Sequence, residues 1–392
     1  MPFLSGSLGF ERFTVTGFKE QRFGEEHIAR LQQFASGQFQ TSAIENVQVG
    51  FLGGDHLFDQ TFDLGKNVID DALHCSVRVD TNQIPSAIRQ AWMQMELTAL
   101  ARDNSTGRPT KAQREQAKEA VQERCAAEAA TGKYRKMAHF PILWDLPHNL
   151  LYFGGSGAAA AGHCADLLTR AFGVEFSRLT AGTLATQWAH NANRMEQLAD
   201  AKPVPFATQV HYSDLSWSNE YSDCPDYLGN EFLLWLWWHL ENESDCIKLS
   251  DDSEVTVMLA KTLTLECPVG EHGKETITAE APVKLSEAWQ AVSSGKLPRK
   301  AGMTLVRHGQ QFDLVLQAES FAISGAKIQS DDSRDRHDRV DRIDTVRTLA
   351  ETVDLLFGAF CLCRLSSDWS NCRQSISNWL GASNPRLRQS AA

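Results

Sequence analysis

Pro85 opens the longest helical tract of the chain, and that tract constrains the fold more than any other stretch. SAIRQAWMQMELTALAR and TKAQREQAKEAVQERCAAEAA carry apolar residues at helical spacing, and a proline at a helix start has its φ already set. The tract breaks around Asn104 to Pro109, so two antiparallel helices or one long broken helix both fit. Strand-like sequence flanks it on both sides. Val68 to Val79 runs toward it, and HFPILWDLPHNLLYFGG leaves it as two strand-like runs joined at Pro147–Asn149. Long helices set between alternating segments predict an α+β chain with antiparallel sheets.

The rest of the pattern agrees. FERFTVTG alternates like a strand, and Glu25 to Phe34 reads as a short amphipathic helix. Residues 254 to 267 and 303 to 317 alternate as strands, and KLSEAWQAVSSGK between them is a helix with Gly295 at its end. At 392 residues the chain is long enough for two or three domains. A polar stretch from 202 to 230 and the charged segment after 330 suggest three: an α+β domain over 1–200, a second α+β domain with a finger-like segment over 201–330, and a helical segment over 331–392. The longest apolar run, Phe232 to Trp238, is far short of a membrane span, and MPFLSGSLGFERF has no signal-peptide form, so a cytoplasmic protein is expected. Nine scattered cysteines without a CxxC pair are expected to be reduced thiols rather than a zinc site.

Catalytic motifs are poorly represented. Gly155, Gly157 and Ala160 match the weaker form of a dinucleotide fingerprint, with Glu175 further on, but a tight strand-to-helix turn explains the same glycines. No P-loop and no nucleophile elbow occurs. Asp200-Ala201-Lys202 is the one acidic residue placed two positions before a lysine, as metal-dependent nucleases use, and it lies in a loop. No metal site or cofactor is expected, and the chain reads as a non-enzyme. Trp235, Trp237 and Trp238 fit a core better than a base-stacking platform. In RDRHDRVDRIDTVR, Asp335–Arg339 and Asp338–Arg342 pair at i,i+4, while Val340, Ile343, Val346, Leu349, Val353 and Leu356 line an apolar face.

Three basic clusters remain: Lys111, Arg114 and Lys118; Lys133, Arg135 and Lys136; and Lys296, Arg299 and Lys300 in KLPRK. Clustered Lys and Arg are all that phosphate contact requires. A net charge of −11, from 38 Lys and Arg against 49 Asp and Glu, excludes an overall basic coat but not a local basic groove. The clusters would form such a groove if the fold brought them to one surface.

The order of motifs resembles one family. IPSAIRQA, the charged tract from Gly107 to Glu119, Trp144-Asp145, and the run Ser156 to Gly173 ending LLTRAFG succeed one another as in the RdgC family of bacterial recombination-associated proteins. LSEAWQAVSSGK followed by MTLVRHGQ and FDLVLQAESFAI is similar to that family's second half. The resemblance implies a multi-domain horseshoe subunit and a ring-shaped homodimer that encircles double-stranded DNA without sequence preference. It also implies a nucleoid-associated protein that restrains a recombinase by competing for DNA. By position Tyr134 matches an aromatic of the family pattern, which makes it the expected dimer contact. Two departures stand out: extra residues around 200–250 and at the C-terminus, and ITAEAPVK where a basic finger is expected. There only Lys284 remains, with Arg299 and Lys300 as substitutes. The rival readings are a metal-dependent exonuclease, after an older label of the family, and a protein-interaction module with no nucleic-acid role.

Overall fold

The computed structural model describes residues 3–37, 47–102, 104, 107–206, 224–268, 273–327 and 336–381. In chain order, the first elements are β1 (Ser7–Thr16), α1 (Glu25–Gln33), β2 (Val47–Leu52), α2 (Leu64–Asn67), β3 (Val68–Ile69) and β4 (Ala72–Asn82). Next come α3 (Ser86–Ala101), α4 (Lys111–Ala130), β5 (Arg135–Asp145), β6 (Leu150–Phe153), α5 (Ala158–Phe172) and β7 (Glu175–Arg178). They are followed by α6 (Ala181–Asn191), α7 (Met195–Asp200), α8 (Tyr227–Asn242), β8 (Cys246–Lys248), β9 (Glu254–Glu266) and β10 (Glu275–Ala279). The last are α9 (Ser286–Ser293), β11 (Leu297–Arg307), β12 (Gln310–Gln317), β13 (Ile323–Lys327), α10 (Arg336–Arg364) and α11 (Trp369–Gly381). The class is mixed helix and antiparallel sheet, as the sequence predicts, and every ladder with a described register is antiparallel.

The chain divides into two compact units, but not at 200 or 330. One unit is Met1–Val15, Pro147–Ser156 and Phe176–Ala392; the other is Thr16–Leu146 with Gly157–Glu175. The sequence-based boundaries miss this because strand pairing ignores chain distance. β1 pairs with β13 and with β6, which ties the first residues into the unit built by the last two hundred.

In the first unit the strands run β10-β9-β11-β12-β13-β1-β6, with β8 on β9 and β7 on β1. α8 is mostly hydrophobic and buried: Phe232, Leu234, Leu236 and Trp237 are fully enclosed, and Trp235 and Trp238 nearly so. The Trp237 ring meets Trp289 of α9 and Trp379 of α11 edge-on, with centroids 5.6 and 5.5 Å away. The tryptophan run is therefore core, as expected. Gly229 lets α8 approach the backbone at Ala318: a Cβ at that position would stand 1.9 Å from the carbonyl oxygen.

The apolar face of α10 is buried from Ile343 through Leu356, as its spacing predicts. Its charged face is less simple than an i,i+4 ladder. Asp335, and the side chain of Asp338, lie outside the described residues. Arg342 is 2% exposed and donates to the carbonyls of Phe3 (3.0 Å) and Gly6 (2.6 Å). At the end of α10, Arg364 donates to Glu231 at 2.6 Å inside the core and to the carbonyl of Lys202 at 2.8 Å, with its guanidinium 4.7 Å above the Trp369 ring. That bond also accounts for the Asp200-Ala201-Lys202 segment, which closes α7 and lends a backbone acceptor to the core.

The second unit is smaller. Its strands run β5-β4-β2, with β3 hairpinned to β4 through Asp70. α1 and α5 cover the sheet over an aromatic cluster of Phe18, Phe23, Trp144 and Phe172 around the His27 ring. Burial lowers the pKa of His27, and the remaining contacts do not restore it. α3 and α4 are inserted between β4 and β5. They form two antiparallel helices: Gln113 Nε2 donates to Leu100 O at 2.9 Å near the hairpin tip, and Arg124 stacks on Trp92 nearer the base.

Candidate nucleic-acid interface

The helical hairpin holds itself together by local chemistry. Thr110 and Gln113 form a capping box: Gln113 N donates to Thr110 Oγ1 at 3.3 Å, and Thr110 N donates to Gln113 Oε1 at 2.9 Å. Asn104 Nδ2 also donates to Gln113 Oε1, at 2.6 Å, which locks the turn to the start of α4. The apolar seam is thin, with Trp92 and Ala101 of α3 and Ala117 and Val121 of α4 as its buried residues. Arg124 covers the open side of Trp92, its guanidinium 4.5 Å from the ring centre.

With so little of α4 in the seam, most of its surface faces water, and the charges sort into stripes. Lys111, Arg114 and Lys118, at i, i+3 and i+7, share one stripe beside the seam and are all exposed. Glu115, Glu119 and Glu123 form the adjoining stripe. Lys111 and Arg114 make no ion pair among the described residues, and Lys118 lies 3.8 Å from Glu115, a loose contact between two exposed groups. From Lys111 to Lys118 the helix rises about 10 Å, the axial length of roughly three phosphates on one duplex strand.

The second cluster begins where α4 ends. Lys133 is exposed, 3.7 Å from Glu128 and 5.5 Å above the ring of half-buried Tyr134. Lys136 is exposed at the start of β5, opposite Thr81 of β4. Arg135 differs, because it donates to Asp80 at 2.5 Å and to Gln48 at 3.2 Å. Asp80 is buried and already holds Arg78 by two bonds of 2.9 and 2.8 Å, so two guanidiniums share one carboxylate. Between residues 84 and 140 the sequence has ten Lys and Arg against six Asp and Glu, the reverse of the chain's overall balance. Sequence reading missed Arg124, since only the hairpin brings it to Trp92.

The third cluster does not behave as expected. Lys284, exposed on a single 3-10 turn over Pro282–Lys284, and KLPRK all lie in the first unit. Lys296 is buried on Glu275, and Arg299 lies between Glu266 (3.0 Å) and Glu319 (2.7 Å). Burial opposes the charge of Arg299, and those two carboxylates more than offset it. Lys296 and Arg299 are thus committed within the fold, because β9 and β10 lay glutamates alongside them. Lys300 is half-buried and lines a cavity of about 460 Å³ together with Gly154, Gly155 and Ser156.

The Gly155–Ala160 segment links β6 to α5, and β6 pairs antiparallel with β1, which does not fit a dinucleotide fingerprint on a parallel βαβ unit. Among the described residues no group of three His, Cys, Asp or Glu side chains converges as metal ligands, and no helix is long and apolar enough to cross a membrane. None of the nine cysteines forms a disulfide. No protein-family model matches this sequence, and no curated protein matches it.

Proposed function

We propose that this protein is a non-enzymatic binder of duplex DNA that works as a homodimer, and that α4 and the start of β5 supply its phosphate contacts. The observation that carries the reading is the stripe of Lys111, Arg114 and Lys118, exposed and almost free of internal partners in a chain of net charge −11. Lysine and arginine side chains on phosphates carry no base information, so the affinity is sequence-independent. Binding is driven by counterion release, and each phosphate neutralised steepens the salt dependence by about 0.9 in log–log slope.

The resemblance to the RdgC family supports the same reading. From it we take a ring-shaped dimer, a nucleoid location and competition with a recombinase for DNA as the biological role. Lys133 and Lys136 extend the contact surface, Arg135 serves it in part, and Tyr134 is the candidate subunit contact. Lys296 and Arg299 drop out of the phosphate-binding set.

The test is a titration of purified protein with a short random-sequence duplex across salt, with and without magnesium. Retained, uncut duplex with a steep salt slope is the expected result. Shortened DNA would favour the exonuclease, and no binding at low salt would overturn the proposal.

A further inference from the structure

A second site lies within the first unit. β1, β6, α6 and α10 enclose a cavity of about 530 Å³, within the size range of small-molecule sites. Its floor is Arg12, 1% exposed, whose two terminal nitrogens each donate to one oxygen of Asp354 at 2.6 Å. Glu351 gives one oxygen to Arg307 at 2.8 Å and leaves the other uncommitted. On the facing helix α6, Gln187 and Asn191 are exposed and carry amides without a partner among the described residues. Between them the half-buried indole of Trp188 lies against α10 at Gly358, where a Cβ would come within 3.2 Å of the ring.

These groups decide the class of ligand. Each carboxylate has about four lone-pair sites, so Asp354 and Glu351 retain acceptor capacity after their arginines are served. Arg12 has already spent both terminal nitrogens on Asp354, and Arg347, the other arginine of the lining, donates to Asp344 at 2.9 Å, so the two arginines have little to offer a phosphate or carboxylate. The lining therefore combines three carboxylates, Asp344, Glu351 and Asp354, against two paired arginines, with the His148 imidazole, two adaptable amides and an aromatic wall. We propose that it binds a small flat aromatic ring bearing amino or amidine N–H groups, neutral or cationic and without a phosphate. In this arrangement the ring stacks on Trp188, and its N–H groups reach the carboxylates and the amide oxygens. The inference is independent of the DNA-binding reading.

Isothermal titration of the full chain with adenosine, benzamidine and adenosine monophosphate tests it. Saturable binding of adenosine or benzamidine is expected, with the monophosphate at least about tenfold weaker than adenosine. Trp188→Leu should weaken the ligand that binds by about tenfold, the share a stacked base usually contributes. Asn191→Ala changes an exposed side chain and gives a second variant should Trp188→Leu fail to fold; it should weaken binding severalfold. No saturable binding of either flat probe, a monophosphate as tight as adenosine, or wild-type affinity in a folded variant would each overturn the assignment.

Discussion

Replacing Lys111, Arg114 and Lys118 together by alanine isolates the stripe on α4. All three side chains are exposed, alanine is the best helix former, and the Thr110–Gln113 cap is untouched, so the hairpin should keep its stability. If each residue neutralises one phosphate, the log–log salt slope should fall by about 2.7. Between about 50 and 200 mM salt that difference amounts to roughly 1.6 decades, so the wild type should lose about 40-fold more affinity than the variant over that range. Fluorescence anisotropy of a labelled random-sequence duplex, read at several salt concentrations, measures both slopes. Glu115→Ala, Glu119→Ala and Glu123→Ala on the adjoining stripe provide the opposing control and should tighten binding by removing like charge. A triple lysine/arginine variant that folds and keeps the wild-type slope would refute the placement of phosphates on α4, whatever the absolute affinity.

Other outcomes follow from particular contacts. Lys133→Ala with Lys136→Ala should lower the slope by about 1.8, and adding Arg135→Ala should lower it by less than a further unit, because Arg135 is shared with Asp80. Tyr134→Ala should shift the sedimentation profile toward monomer, and an unchanged profile would remove that residue from the subunit contact. Gly229→Ala drives a Cβ into the Ala318 carbonyl, and denaturant unfolding should register a loss at or beyond the upper end of about 1–3 kcal/mol. The Ser253 hydroxyl and amide and the Arg307 guanidinium hold Asp251 down at about 2, below its unfolded value near 3.9. Its contribution to stability is therefore complete above about pH 4 and lost as the pH falls toward 2. Asp251→Asn should flatten that part of the acid limb in pH-dependent thermal melts.

Where the signal is local, the sequence was enough. The apolar spacing of Ile343 to Leu356, the short helix from Glu25 to Phe34 and the break at Asn104–Pro109 are each set within a few residues by side-chain period and turn chemistry, and the structure repeats them. The capping box Thr110–Gln113 is equally local, closing the start of α4 within four residues. The exposure of Lys111, Arg114 and Lys118 also follows from helical geometry, since a stripe beside a thin seam has nothing to cover it.

What only the tertiary structure decided is which charges remain free. KLPRK and RKM look alike in sequence, yet β9 and β10 place Glu266 and Glu275 alongside Arg299 and Lys296, whereas Lys136 faces no carboxylate among the described residues. The same holds for the unit boundaries, set by β1 pairing with β13 more than three hundred residues away, and for Arg12, whose partner Asp354 is equally distant. Helical period and turn chemistry act over a few residues and are written in consecutive letters. Charge pairing and strand pairing act over a few ångströms, and only the folded backbone determines which residues come that close.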